Sequence, residues 1–408
     1  MRAAFTYMGT KRQIADDVAG VISSSRRGPL LDLFAGISVV GSSVAPGRQV
    51  WCNDVQHFAH TLATAIFTSR AGPFLHPDVI ENVKKHARSN LNKLYREVGG
   101  WLDAEERALA SPTIAQSSRL ATQFIRSSVS PRNYRFRRLH RASDAPRPYR
   151  LFTYTYAGGY IGLKQSVDLD SLRYAIDVML HNRQITSEQH RWLLLALCKA
   201  LMKVAHTTGH FAQYLAIKES TYHRFIAKRR REVFTEWLTA VTDLVPEGTA
   251  SWRRRNRTFR MDALSLLRVL PKLKAQPSVI YADPPYTSDH YSRYYHLLDT
   301  LVLYDYPDPI GKGQYRADRY ISDFSLRTRV YSAFHELIAS TAELGCELVL
   351  NYPANGLLSD PRKSLLRILK QYYRRAEVAL AIAHEHSSLG ASKGIEKSPV
   401  TEFVFYAR

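Results

Sequence analysis

Val279-Ile280-Tyr281-Ala282-Asp283-Pro284-Pro285-Tyr286 is the stretch on which the fold turns. Four apolar residues, two of them β-branched, suit a short buried strand. The prolines that follow carry no backbone donor and fix the chain direction, so the strand stops at their edge. In open α/β sheets, ligands bind at the carboxyl ends of strands. Asp283 thus brings a carboxylate, and Pro284 a free carbonyl, to a cleft. Together they make an acceptor array suited to an NH₂ group.

Working outward, residues 30–34 form an apolar run that enters a glycine turn, and residues 49–52 form a second run ending at Asn53-Asp54. Further runs at 278–282 and 346–351 and an alternating one at 401–406 complete the strand signals. Between residues 58 and 245 the pattern is mostly helical, with a strongly apolar helix expected over 191–205 and a basic amphipathic one over 222–245. There is no internal repeat, low-complexity tract or long Gly/Ser linker. Strands at both ends with helices between predict one α/β domain interrupted by a helical insertion. The expected division is 1–57 for the first part of the domain, 58–257 for the insertion and 258–408 for the second part.

The chain of 408 residues carries 57 Lys plus Arg against 36 Asp plus Glu, a net charge of +21. That excess predicts a polyanionic partner. It is concentrated in and beside the insertion. Arg126, Arg132, Arg135, Arg137, Arg138, Arg141, Arg147 and Arg150 alternate with Tyr134, Phe136, Tyr149 and Phe152, and Arg253, Arg254, Arg255, Arg257 and Arg260 follow. Residues 228–231 add a third cluster. Arginine grips phosphate or guanine through two nitrogens, and aromatic rings stack on exposed bases, so the mixture suits nucleic acid. The bland alternative for each cluster is a solvated charged face. Cys52, Cys198 and Cys346 lack the spacing of a zinc site or disulfide framework, so no metal is expected. No apolar run reaches the ~18 residues of a membrane span and no signal peptide is evident, which predicts a cytoplasmic protein without membrane contact.

The amino nitrogen of adenine is a poor nucleophile because its lone pair is delocalised into the ring. If Asp283 and the Pro284 carbonyl accept its two hydrogens, the nitrogen can pyramidalise and attack a sulfonium methyl. Tyr286 supplies a stacking face for a base extruded from the duplex. In this setting the tetrapeptide Asp283 to Tyr286 resembles the catalytic motif of amino-methyltransferases, in the Asp form typical of N6-adenine enzymes. Asp32-Leu33-Phe34-Ala35-Gly36 resembles their first motif, which implies that Phe34 and Gly36 lie against the cofactor S-adenosylmethionine. Ser38 stands where the family has a glycine. Asp54 matches the acid that accepts from the ribose hydroxyls.

Ahead of these, Tyr7-Met8-Gly9-Thr10-Lys11 resembles the N-terminal motif of Dam-type DNA adenine methyltransferases, with Tyr7 and Lys11 on its cofactor-contacting positions and Thr10 in place of a second glycine. Asp262 stands where that family has an acid near the cofactor adenine. The motif order is the Dam-type (class alpha) order, with target recognition in the insertion. The resemblance implies a Rossmann-like methyltransferase fold and site-specific N6-adenine methylation of double-stranded DNA in a restriction-modification or phage-defence setting, alone or with other subunits. It also implies a loop over the flipped base that includes His290, Tyr291 and Arg293; packing against the insertion is the alternative role. Arg135, Arg137, Arg138, Arg253, Arg254 and Arg255 are the candidate nucleic-acid contacts. Two other readings stay open: an RNA adenine methyltransferase, since the basic surface does not separate the polymers, and a nucleic-acid-binding protein without catalysis, against which the intact tetrapeptide argues. N4-cytosine methylation is a lesser variant.

Overall fold

The computed structural model describes residues 5, 7, 11–73, 76–128, 148–387 and 397–408. The strands are β1 (Leu30–Asp32), β2 (Val50–Asn53), β3 (Arg257–Phe259), β4 (Val279–Ala282), β5 (Pro309–Ile310), β6 (Tyr315–Arg316), β7 (Glu347–Pro353), β8 (Ala376–Ser387) and β9 (Lys397–Ala407). Seven of them build one sheet in the order β3-β2-β1-β4-β7-β9-β8, while β5 and β6 form a separate hairpin. The first five are parallel neighbours, and β9 enters antiparallel between β7 and β8. The protein is mixed α/β with a mainly parallel central sheet.

The central strands are apolar throughout because they are buried on both faces. Leu30, Val50, Val279 and Val349 face one core, which they share with helices Ala15–Ser24, His57–Thr68 and Ser187–Val204. Leu31, Trp51, Ile280 and Leu348 face the other, under helices Ala263–Val269, Val330–Glu343 and Pro361–Tyr372. Helix His57–Thr68 packs on β2 and β3. From residue 69 to β3 the described residues are helical or irregular, and helices Pro77–Ala110, Ile114–Ser128 and Leu163–His181 enclose a small core of their own around Leu94, Phe124 and Val167.

Three sequence expectations change. The strand β3 was hidden, since Arg257-Thr258-Phe259 reads as the tail of an arginine cluster and is too short to show a period. The strand β8 was also hidden, an edge strand that pairs with β9 alone. The helix expected over 222–245 is two helices, Tyr222–Arg229 and Val233–Asp243. The break is stabilised from outside, because the Gln165 side-chain amide donates to the carbonyls of Lys228 at 2.8 Å and Arg231 at 2.9 Å. Carbonyls left over at a helix end need such partners.

The chain runs β1, β2, β3 to one side and then returns to place β4 on the other side of β1. The carboxyl ends of β1 and β4 therefore flank the point where strand order reverses, the usual ligand crevice of open α/β sheets.

Candidate functional site

A cleft opens at that point. It encloses about 940 Å³ of space continuous with solvent and is lined by residues from the ends of β1, β2 and β4 and from the N-terminal segment. Tyr7, Lys11, Phe34, Gly36, Asp54 and Asp283, scattered over 277 positions of sequence, all line it.

The turn after β1 bends under the cleft. Gly36 has φ of +51°, and a side chain there would meet the Tyr7 ring at 3.1 Å, so both backbone conformation and space favour glycine. Ser38, where the resembled family has glycine, also takes a left-handed φ of +61°. A serine in that conformation costs about 1 kcal/mol. It is held there by a 2.6 Å bond from its N–H to the Ala35 carbonyl. Asn53 fastens the neighbouring strand ends: its amide donates to the carbonyls of Leu33 and Met261, and its side-chain oxygen accepts from Met261 N–H.

Asp54 leaves the end of β2. One oxygen accepts from Gly36 N–H at 2.8 Å and the other from Gln56 N–H at 2.9 Å. Burial pushes its carboxyl up to about 6, against the pull of those backbone donors. Tyr7 donates its hydroxyl to Gln56 at 2.9 Å and stacks on Tyr295 at 4.2 Å and Tyr291 at 5.8 Å.

Asp283 stands at the end of β4, 16% exposed. Its Oδ1 meets the Lys11 ammonium at 3.2 Å and accepts from the Asn351 amide at 3.3 Å. Burial pushes the carboxyl up to about 6, while Lys11 and Asn351 pull it down. Burial also opposes the charge of Lys11, but Asp283 and Glu402 outweigh it and hold the ammonium above its ordinary range. Asp32, at the end of β1, is a further cleft carboxyl. Burial, with Asp283 nearby, pushes it up to about 8, and its Oδ1 has no hydrogen-bond partner.

Of the other expected residues, Tyr286, Asp262 and Arg293 sit beside the cleft instead of lining it. Tyr286 is buried, with the Lys11 ammonium 5.4 Å from its ring centre. Asp262 caps helix Ala263–Val269, accepting from Ser265 N–H at 2.9 Å, and its second oxygen takes the Tyr320 hydroxyl. Tyr320, with Met261 and Ala263, faces the cleft in its place. His290 and Tyr291 line the cleft, whereas Arg293 donates to the Tyr315 hydroxyl at 2.8 Å in the hairpin.

The arginine candidates fare differently. Arg135, Arg137 and Arg138 lie outside the described residues. Arg253 is a correction: it is 5% exposed, and its guanidinium donates to the carbonyls of Ser69, Arg70, Glu247 and Gly248, so it binds the chain to itself. Arg254 and Arg255 are exposed but precede β3, at the amino ends of the strands and opposite the cleft. In the cluster at 228–231, Arg229 is buried on the carbonyls of Gly158, Gly159 and Tyr160, while Lys228 donates to the Lys203 carbonyl and the exposed Arg230 and Arg231 reach the Leu109 carbonyl and Glu236. The sequence reading missed Asp32, Gln56, Asn351 and Glu402. Asp32 opens the first motif, and Glu402 is the one carboxylate in the apolar run 401–406, so both left a trace.

No protein-family model matches the chain. Among curated proteins it is 24% identical to the type II methyltransferase M.FokI of Planomicrobium okeanokoites, over 98% of this chain and 52% of that protein. It is 22% identical to the modification methylase LlaI of Lactococcus lactis subsp. lactis, over 81% of this chain and 43% of the relative. The modification methylase StsI of Streptococcus sanguinis is 22% identical over 90% and 46% respectively. The chain is similar in sequence to curated DNA methyltransferases. It spans about half the length of the curated relatives it matches. Among the described residues no helix is long and apolar enough to cross a membrane, and no cluster of His, Cys, Asp or Glu is arranged to hold a metal ion.

Proposed function

We propose that the chain methylates N6 of adenine in double-stranded DNA, using S-adenosylmethionine, as the modification activity of a restriction-modification or phage-defence system. The proposal includes a Rossmann-like methyltransferase fold of the Dam-type order, with residues 1–57 and 258–408 as the catalytic domain and 58–257 as the target-recognition insertion. The carrying observation is the convergence of Asp283, Lys11 and Asp54 on one cleft at the switch point of the sheet. The relatives' names support DNA methylation; the aspartate at position 283, where serine would favour N4-cytosine, supports adenine.

The cleft fits the cofactor on its own terms. Asp54 keeps lone pairs beyond its two backbone donors and would take the ribose hydroxyls by charge-assisted bonds. Gly36 leaves the space that a side chain would fill. The unpartnered Oδ1 of Asp32 is an acceptor suited to an ammonium group. Asp262 acts at the adenine end through Tyr320. Bound there, S-adenosylmethionine supplies an electrophilic sulfonium methyl group.

Asp283 and the Pro284 carbonyl accept the two amino hydrogens of an extruded adenine, localising the lone pair on nitrogen. With a carboxyl at about 6, Asp283 is largely ionised at neutral pH and able to accept. The same carboxylate receives the proton that the nitrogen loses once alkylated. Lys11 stays an ammonium and steers Asp283 by its charge. The test is expression in cells that lack adenine methylation, followed by long-read mapping of modified bases in DNA and RNA. Methylated adenine at one short DNA motif is expected; modified RNA with unmodified DNA would transfer the activity to RNA.

A further inference from the structure

Three polar side chains from three separate segments, Lys11, Asn351 and Glu402, meet behind Asp283. β7 sets Asn351 beside the end of β4, because Ala282 pairs with Leu350. β9 runs the opposite way, and Glu402 pairs with Pro353 and so reaches the same end of the sheet. Glu402 is 1% exposed and Asn351 is fully buried. Glu402 Oε1 meets Lys11 Nζ at 3.2 Å, and its Oε2 accepts from Asn351 Nδ2 at 2.6 Å. Those two donors are the ones that reach Asp283 Oδ1. Each donor is thus shared between two carboxylates, and no described residue donates to Asp283 Oδ2.

We infer that Glu402 is a positioning residue which, by holding Lys11 and Asn351 together, pins Asp283 through Oδ1 and leaves Oδ2 to accept the hydrogen of the substrate amino group. The inference rests on the proposed function. Burying a glutamate is costly unless its partners are fixed. A carboxylate here also raises the proton affinity of Asp283, which strengthens it as an acceptor while lowering its ionised share near neutral pH. Its geometric effect is that two donors held in one place give Asp283 one orientation. Misplacing a reacting group by about 1 Å can cost ~10²-fold in rate.

The groups facing Asp283 are Lys11 and Tyr7 from the N-terminal segment, Asp32 from β1, Tyr281 from β4, Tyr286 and Tyr291 beyond the motif, Asn351 from β7 and Glu402 from β9. Among these Glu402 pushes the Asp283 carboxyl up and the Asn351 bond pulls it down. Two substitutions therefore separate positioning from general damage. Methyl transfer to DNA is measured against pH for the full chain and for Glu402→Gln and Asn351→Ala, with fold checked by circular dichroism. Turnover is expected to fall about 10- to 100-fold in both, with cofactor affinity changed less than about threefold. The acid limb must move down in Glu402→Gln and up in Asn351→Ala. Equal turnover, or limbs that move the same way, would overturn the inference. If the unmodified chain transfers no methyl group, the functional reading fails by itself. The carboxyl ¹³C titration of Asp283, assigned by difference from Asp283→Asn, then decides the positioning claim by the same opposite shifts.

Discussion

The two ends of the central sheet use charge in opposite ways. At the carboxyl ends, Asp32 is buried and Asp54 and Asp283 are part-buried beside a cleft with acceptor capacity left unfilled, and desolvation raises all three. At the amino ends, Arg253 spends its guanidinium on four backbone carbonyls. Both sets are ionisable side chains largely withdrawn from solvent. The difference is vacancy: a side chain whose hydrogen-bonding capacity the fold consumes holds the structure, and one whose capacity the fold leaves open can hold a ligand.

The largest effect that could break this comparison is at Asp283. Replacing it with alanine should lower turnover about 10²- to 10³-fold while cofactor binding, measured by calorimetry, survives. Equal losses in both would make Asp283 another structural group. Next is Arg253→Ala, which leaves several buried carbonyls without partners and should destabilise the chain by roughly 3 kcal/mol in chemical denaturation. An unchanged stability, with weaker DNA binding, would restore Arg253 to the nucleic-acid surface.

Asp32 sharpens the comparison through pH. Its carboxyl is raised from 3.8 to about 8, so the folded chain keeps a proton that the unfolded chain has released between those values. Stability from this group is full below about pH 4 and is lost as pH rises through about 8. Asp32→Asn should therefore raise the melting temperature at pH 8.5, leave it nearly unchanged at pH 4, and weaken cofactor binding. A gain of the same size at both pH values would contradict a buried carboxylate maintained for a ligand. The smallest expected effect belongs to Arg254 and Arg255. Neutralising both should change stability by less than about 0.5 kcal/mol each and leave the salt dependence of DNA binding as it was. A slope reduced by about one unit per arginine would extend the DNA footprint to the far end of the sheet.

How much of this was legible follows the same division. The strands β1, β2, β4, β7 and β9 announced themselves as apolar runs because the sheet buries both faces, and the residues at their carboxyl ends carried motif spacing. Asp54 and Asp283 could be named without coordinates. Asn351 and Glu402 could not, because their partnership depends on β9 entering antiparallel between β7 and β8, a long-range pairing that no local pattern encodes. Arg253 and Arg229 misled for a related reason. Charge is visible in sequence, whereas the carbonyls that use it come from distant segments: 253 pairs with 69 and 70, and 229 with 158 to 160.

The most direct test of the central claim is the identity of the methylated base. Unmodified duplex DNA is incubated with tritiated S-adenosylmethionine and either the full chain or Asp283→Ala, and the products are digested and analysed by nucleoside mass spectrometry. N6-methyladenine is expected from the full chain, with a loss of about 10²-fold or more in the variant. N4-methylcytosine as the sole product, or full activity in Asp283→Ala, would contradict it.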